Sequence, residues 1–394
     1  MPKISVVIPC YNAERYLHEC LDSVVNQTLD DIEVIIVNDA STDGSTEIIR
    51  GYARGDARVR VIEHEKNQGE SQSRKDGVLA VTGDHVLFLD SDDYLDLGAC
   101  EGLHEMVHEH DVDILHFATS VVTDSPVESE YVRGLENWMR PLDNTLHGTD
   151  VLDMAFGESP QFGQSIWDKM YSARLCQRVF TQIPDGDFPY AADKLAFFLL
   201  AYFASSYRGV PDRTYYNYRF GAGVSGSGRV ELARFETFCK SAWVADKLDE
   251  FAEATGSPSC VAAARRVRLT ILRDCLRKWY LRVSPEDWSG GFDLIVSYWP
   301  LTDVVSVMGE LLSEHQTEVV EKVPGDQLPN TNPPEVGLRS TQDEALAASV
   351  DDRLEAILKS RSWRFTQALL TPVRAARMAL AALRGKADRF RLFG

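Results

Sequence analysis

The N-terminal part of the chain alternates short apolar runs with stretches of helical spacing, and this alternation limits the fold more than any other feature. Four runs have the length and β-branched content of buried strands. They are residues 4–8, 32–37, 59–63 and 85–89. Between them, apolar residues recur at helical spacing over residues 16–25, 43–54 and 68–81. The pattern predicts βαβ units and an α/β fold with a mostly parallel, helix-flanked sheet, and Asp43 or Ser45 as the cap of the second helix.

Three polar segments follow directly after predicted strands. They are PCYN at 9–12, NDASTDGS at 38–45 and DSDD at 90–93. In a parallel sheet, ligands bind beyond the carboxyl ends of the strands. The three segments are therefore predicted to converge on one crevice.

This crevice would be rich in carboxylates, because it would hold Asp39, Asp90, Asp92 and Asp93. None of the three segments has the glycine-rich pattern of a dinucleotide or triphosphate loop. Clustered carboxylates suit Mg²⁺ or Mn²⁺, and Mg²⁺ commonly shares one or two protein carboxylates with substrate phosphates. Helix capping is an alternative of equal weight for the last segment, but it explains only one or two of the aspartates.

Composition excludes several classes of protein. The 394-residue chain has a formal net charge of −19, which argues against a nucleic-acid binder. Its seven cysteines are isolated, as in a reduced cytosolic protein. The N-terminus lacks the features of a signal peptide. The apolar run at 195–204 is half of what a membrane crossing needs, so we expect a buried helix and a cytoplasmic protein that meets a membrane only at its surface.

The C-terminal part differs from the rest in charge. Residues 361–394 carry a net +7, so the preceding residues carry −26, which together give −19. Tryptophan, phenylalanine and leucine alternate there with arginine, a pattern typical of docking on the anionic inner face of the cell membrane. A basic helix packed on the acidic body is equally compatible.

Two segments resemble the nucleotide-binding half of a family 2 glycosyltransferase with the GT-A fold. They are ISVVIPCYNAERYLHECLDSVVNQTLDDIEVIIVNDASTDGS (4–45) and NQGESQSRKDGVLAVTGDHVLFLDSDD (67–93). The resemblance is close over residues 1–118, which it makes the nucleotide-sugar-binding half. It continues more weakly through WDKMYSARL (167–175), YAADKLAFF (190–198) and YNYRFGAGVS (216–225), in a predicted acceptor-binding half at 119–230. We expect a helical extension at 231–320, a proline-rich linker at 321–342 and basic amphipathic helices at 343–394.

The resemblance implies a donor site for a nucleotide sugar. Asp39 would bind the nucleobase, and an acceptor of a ring N–H suits uracil or thymine. Asp90 would contact the ribose, and Asp92 would coordinate the Mn²⁺ or Mg²⁺ that bridges the diphosphate. The other implied donor-binding residues are Pro9, Tyr11, Asn67, Arg74 and Ser91. Plain packing is the alternative for Tyr11, and a solvated helix surface is the alternative for Arg74.

The resemblance also implies the catalytic base of an inverting transfer, which is Asp193 at the start of a helix. Ala192 precedes it where the family usually has glutamate, and this departure puts rate or acceptor choice in doubt. A helix cap is the alternative role for Asp193. Trp167 and Lys169 would line the acceptor wall, and Arg219 or Arg229, beside a glycine-rich mobile loop, would contact the diphosphate.

These expectations describe a metal-dependent, non-processive enzyme that transfers a sugar, most simply from a UDP-sugar, to a glycan or lipid-linked glycan in cell-surface polysaccharide or glycoconjugate synthesis. The chain lacks the QxxRW segment of processive synthases. A nucleotide-sugar-binding protein with impaired catalysis is the alternative. A nucleotidyltransferase ranks last, because no basic glycine-rich loop follows the first strand.

Overall fold

The computed structural model describes residues 2–124, 129–186, 188, 190–221 and 229–321. Nine strands of these residues form one sheet in the order β3-β2-β1-β4-β8-β6-β9-β5, with β7 also paired to β9. The strands are β1 Ile4–Cys10, β2 Ile32–Asn38, β3 Val59–Glu63, β4 His85–Phe88, β5 Tyr94–Leu95, β6 Ile114–Thr123, β7 Thr145–His147, β8 Lys169–Ser172 and β9 Ser206–Phe220.

Helices join and flank these strands. They are α1 Glu14–Val25, α2 Ser45–Gly55, α3 Glu70–Leu79, α4 Ala99–His110, α5 Ser129–Met139, α6 Thr149–Phe156, α7 Ala173–Phe180, α8 Ala192–Phe203, α9 Leu232–Cys239, α10 Ala242–Thr255, α11 Pro258–Arg282, α12 Trp288–Tyr298 and α13 Leu301–Glu321. The predicted α/β class is confirmed, and so is a helical region after residue 230.

The first four strands are all parallel, as the alternation of strand and helix predicts. Ile4 of β1 pairs with Ile32 of β2 and His85 of β4, and β2 pairs in parallel with β3. Every residue of β1 and β2 is buried, since helices cover both faces of a parallel sheet. The predicted cap of α2 is wrong. Its N-cap residue is Gly44, and Asp43 instead accepts the backbone N–H groups of Ser45 and Glu14.

Beyond β4 the sheet becomes mixed. Strand β8 runs antiparallel to both β4 and β6, whereas β6 pairs in parallel with the long strand β9. Helix α8 is buried over Leu195–Ala201, as its apolar run predicts. Among the described residues, we find no helix with the length and apolarity that a membrane crossing requires.

The chain divides into two compact units. The first comprises the described residues up to 221 together with 240–271, and the second comprises 229–239 and 272–321. Within the second unit, Trp279 Nε1 donates to the carbonyl of Trp288, whose own Nε1 donates to the carbonyl of Val283. Residues 222–228 of the predicted glycine-rich loop (218–229), nearly all of the linker and the basic C-terminal helices lie outside the described residues. The domain boundaries at 118, 230 and 320 stay predictions.

Candidate active site

The loops after β1, β2 and β4 lie against one another. The N–H of Asn12 donates to Ser41 Oγ at 3.2 Å, and the N–H of Thr42 donates to Asn12 Oδ1 at 2.8 Å. Cys10, at the end of β1, has Ser41 and Ser91 of the other two loops among its hydrogen-bond partners, and burial raises its pKa to about 12. The parallel register thus brings the three predicted segments to one edge of the sheet.

Asp39 lies at the end of β2 and is 2% exposed. One of its oxygens accepts the N–H of Gln68 at 2.8 Å and faces His64 Nδ1 at 2.7 Å, and the other accepts the N–H of Gly69 at 2.8 Å. A carboxylate offers about four lone-pair positions. Three are used here, so one acceptor position remains on the oxygen that binds Gly69.

Arg74 joins two of the predicted site residues. Its Nη1 donates to Asp193 at 2.5 Å, its Nη2 donates to Asp90 at 2.7 Å, and Nη2 also pairs with Glu70. The Arg74 side chain is 2% exposed, so the solvated-surface alternative is wrong. Asp90 follows β4, whereas Asp193 begins α8, so one guanidinium connects the two predicted halves.

Asp193 does not cap α8. The N-cap residue is Ala191, in a left-handed conformation with φ of 65°, and the cap has no side-chain hydrogen bond. The helix-cap alternative for Asp193 is therefore wrong. Its carboxylate is 35% exposed and directed at Arg74, and Ala192 adds no polar group beside it.

The remaining aspartates of the loop after β4 differ in their partners. Asp93 is buried and accepts the Tyr216 hydroxyl and the N–H of Arg219, each at 2.7 Å. Burial, together with the charges of Asp90 and Asp92, raises its pKa to about 8. The Asp92 carboxylate has no hydrogen bond to another residue in the described part of the chain, and burial next to Asp90 raises its pKa to about 6.

The donor set at Asp92 fits a hard divalent cation. A half-buried carboxylate that makes no ion pair within the described residues and lies next to another carboxylate gains from a metal ion. Within the described ranges, no group of three or more His, Cys, Asp or Glu side chains is arranged to hold a metal alone. Mg²⁺ does not need such a group when substrate phosphates complete its coordination.

Arg219 lies beside this loop but is bonded to acidic residues. Its guanidinium donates to the carbonyl of Asp92 at 3.0 Å, to Asp124 at 2.8 Å and to Glu19 at 2.5 Å. It also stacks over the Tyr16 ring at 4.7 Å. The sequence analysis assigned no role to Glu19, Tyr16 or Asp124.

Trp167 and Lys169 occupy different environments. Trp167 is 7% exposed and stacks on the rings of both Tyr216 and Tyr218, with centroid distances of 4.9 and 5.0 Å. Because the Tyr216 hydroxyl bonds Asp93, this stack supports the aspartate loop. Lys169 is fully buried and paired with Asp168 at 2.6 Å. A side chain without solvent exposure does not line a wall that contacts an acceptor, so the predicted role of Lys169 is wrong.

The other predicted donor residues lie around the crevice. Pro9 is buried in β1 and pairs with Val37, and Tyr11 beyond it is 49% exposed, so plain packing does not describe Tyr11. Asn67 is exposed before α3, and Ser91 is half-buried between the two aspartates.

Comparison with known families decides what this domain is. The profile "Glycosyl transferase family 2" matches residues 5–160, which include the loops described above but not Asp193. Residues 5–160 are a family 2 glycosyltransferase domain. The prediction that the chain is a glycosyltransferase of this family is confirmed for that domain.

The glycosyltransferase domain resembles several bacterial proteins. The chain is 43% identical over 186 residues, more than the matched profile covers, to glycosyltransferase GlyA of Streptococcus pneumoniae, across 45% of this chain and 25% of the relative. It is 40% identical over 136 residues to the putative glycosyltransferase EpsH of Bacillus subtilis, across 33% of this chain and 39% of the relative. It is 43% identical over 115 residues to a poly(ribitol-phosphate) beta-glucosyltransferase of Bacillus spizizenii, across 28% and 18%. The matches thus span well under half the length of these relatives.

Solved structures extend the likeness beyond the matched profile. TarS 1–349 of S. aureus has a TM-score of 0.55 and 20% identity, and the alignment covers 93% of this chain and 92% of TarS 1–349. Its complex with UDP-GlcNAc has a TM-score of 0.53 and 22% identity, covering 75% and 82%. At this identity the comparison shows the fold, and it confirms the predicted GT-A architecture.

Proposed function

We propose that the protein transfers a sugar from a UDP-sugar to a hydroxyl of a glycan or lipid-linked glycan, with inversion and with Mn²⁺ or Mg²⁺. The observation that carries the proposal is the position of Arg74. Its guanidinium binds Asp90, next to the proposed metal ligand Asp92, and also Asp193, the proposed base. A donor held at one carboxylate therefore lies within reach of the other.

The donor pocket is proposed from three features. The remaining acceptor position on Asp39 suits a single N–H, which uracil presents at its ring. Tyr11 offers an exposed ring for the base to stack on. TarS, which shares the fold, has been solved with UDP-GlcNAc. Pro9, Asn67 and Ser91 complete the proposed pocket.

Asp92, with Asp90 beside it, would hold the divalent cation at the diphosphate. When bound, such an ion stabilises the negative charge that develops on the leaving diphosphate. The Nε–H of Arg74 is buried and lacks a hydrogen-bond partner among the described residues, so Arg74 retains a donor within this site.

Transfer would proceed by a single in-line displacement. Asp193 accepts the proton of the acceptor hydroxyl, whose oxygen attacks the anomeric carbon as the bond to the diphosphate oxygen breaks. Arg74 holds the Asp193 carboxylate in place through the 2.5 Å ion pair. Correct placement of base and nucleophile supplies much of the rate enhancement in such reactions.

For the acceptor, the proposal names a class of molecule. One relative is named for glucosylation of poly(ribitol-phosphate), a polymer rich in hydroxyls, which supports a cell-surface glycan or a related polymer as acceptor. We propose transfer of one sugar or a few per encounter, at the cytoplasmic face of the membrane.

A binding protein with impaired catalysis is the second candidate. Asp193 is already neutralised in part by Arg74, and Ala192 leaves it without an acidic neighbour. This candidate predicts metal-dependent binding of UDP-sugars without turnover.

The test combines binding and turnover. Isothermal titration calorimetry with UDP and UDP-GlcNAc, with and without Mn²⁺, should show binding that depends on the metal and is lost in Asp92→Ala. Release of UDP should fall by about 10²-fold or more in Asp193→Asn, because a general base contributes about 10²–10⁴-fold. Asp30→Asn, which changes an exposed aspartate before β2, is the control and should match wild type. Binding without turnover in wild type would favour the second candidate, and no uridine nucleotide binding would contradict both.

A further inference from the structure

An exposed glutamate lies on the donor side of Arg74. Glu70 begins α3, and its side chain is 56% exposed, compared with 22% for Asp90 and 35% for Asp193. It pairs with Nη2 of Arg74, the nitrogen that also binds Asp90, whereas Asp193 occupies Nη1. Glu70 therefore lies on the side of Arg74 that faces Asp90 and the donor loop, and not on the side that faces the proposed catalytic base, Asp193.

The chain on either side of Glu70 supports this location. The preceding residue, Gly69, donates its N–H to Asp39, the proposed nucleobase residue. Glu70 thus follows directly after the base end of the donor pocket, and Arg74 connects it to the diphosphate end at Asp90. In the proposed function, the donor sugar lies between the diphosphate and Asp193. It is therefore next to the Arg74 guanidinium, which binds both Asp90 and Asp193.

The chemistry of Glu70 suits a sugar hydroxyl. Only its Oε1 is engaged by Arg74, and Oε2 has no hydrogen bond within the part of the chain that the structure describes. A free carboxylate oxygen accepts hydrogen bonds from hydroxyl groups and repels phosphate. Glu70 lies one turn before Arg74 on α3 itself, whereas α8 has alanine at position 192, so Glu70 is a third carboxylate on Arg74 besides Asp90 and Asp193.

We propose that Glu70 determines donor specificity by accepting a hydrogen bond from a ring hydroxyl of the donor sugar. The inference rests on the proposed function, since it assigns the sugar end of the same donor pocket. It separates Glu70 from Asp39, Asp90 and Asp92, which serve the nucleotide and the metal.

The experiment compares UDP with UDP-sugars on the full chain. Calorimetric titrations with UDP, UDP-glucose, UDP-GlcNAc and UDP-GalNAc, all with Mn²⁺, are run on wild type, Glu70→Ala and Glu70→Gln. Loss of this hydrogen bond should weaken the best-bound UDP-sugar by several-fold, up to about tenfold, in Glu70→Ala. UDP itself should change less than about twofold. Discrimination between UDP-GlcNAc and its C4 epimer UDP-GalNAc should also change if that hydroxyl is the one recognised.

The matched control is Glu47→Gln, which removes the first-turn glutamate of α2 and leaves Arg74 and its partners intact. It controls for the interaction of an acidic side chain with a helix N-terminus. Equal weakening of UDP and UDP-sugars in the Glu70 variants would overturn the inference while leaving the proposed function in place. So would a wild type that binds UDP-sugars no more tightly than UDP. Absence of any uridine nucleotide binding would remove the proposed function itself, and the Glu70 inference with it.

Discussion

Replacing Lys169 by methionine removes one half of a fully buried ion pair. Lys169 Nζ donates to Asp168 at 2.6 Å and to the carbonyls of Gly163 and Ser165 at 3.0 and 2.7 Å. It also lies over the Phe197 ring of α8 at 4.5 Å. Methionine keeps a similar apolar length but leaves Asp168 charged, buried and supported only by its remaining neighbours.

The expected loss is large because neither partner is exposed. Breaking a buried pair by removing one charge costs about 3–5 kcal/mol, most of it from the charge left behind. For a domain of a few hundred residues, about 2–4 °C in Tm accompanies each kcal/mol, so Tm should fall by about 6–20 °C. The variant Asp168→Leu/Lys169→Met removes both charges and should recover more than half of that loss.

Urea denaturation, monitored by circular dichroism, and thermal scanning measure the loss in Lys169→Met and the recovery in the double variant. Wild type and the single variant Asp168→Leu complete the double-mutant cycle. A loss below about 1 kcal/mol in Lys169→Met, or a double variant no more stable than the single one, would refute the reasoning. If Lys169→Met impaired turnover but left stability unchanged, the result would instead support the predicted role of Lys169 in the acceptor wall.

Three further predictions concern the frame of the site. Gly77→Ala should destabilise by about 1–3 kcal/mol in chemical denaturation, because the new Cβ would meet Val7 Cγ1 at 2.4 Å, whereas Gly51→Ala, with nothing within 4 Å, should stabilise by up to about 1 kcal/mol. Burial lowers the pKa of His116 from 6.5 to about 4. Only the unfolded chain takes up this proton between those values, so the free energy of unfolding should fall by up to about 3 kcal/mol as pH drops from 6.5 to 4 in urea titrations, and His116→Gln should flatten the decline. Tyr216→Phe removes the hydroxyl that anchors the aspartate loop and should lower Mn²⁺-dependent UDP affinity, measured by calorimetry, with little change in overall fold.

The parallel half of the sheet was predictable because its signals are local. Each strand is a short apolar run, each crossover helix has its own periodicity, and the strand ends in β1, β2 and β4 then determine where the polar loops meet. Asp39, Asp90 and Asp92 were found in this way, with the family resemblance supplying their proposed roles.

The partners of those residues were not predictable, because distant segments supply them. Arg74 and Asp193 are 119 positions apart, and only the packing of α3 and α8 brings them together. The polar sequence of α3 suggested a solvated face, yet Ser71, Ser73 and Arg74 are buried. The family resemblance placed Lys169 in the acceptor wall, and nothing local in the sequence indicated its buried pairing with Asp168. His64 lies outside the segments that carry the family resemblance, and Glu70, inside the second of them, was given no role.

Contacts on both sides of Arg74 hold helix α3 in place. The Asp39 carboxylate holds the backbone at Gln68 and Gly69, and Gly77 lets the helix lie directly on Val7 of β1. Arg74 lies on the helix between these two contacts, so a substitution nearby leaves its guanidinium little room to move. Libraries meant to redirect this protein toward new sugars should therefore randomise Glu70, the exposed first residue of the helix, and keep the buried Ser71, Ser73 and Arg74 unchanged.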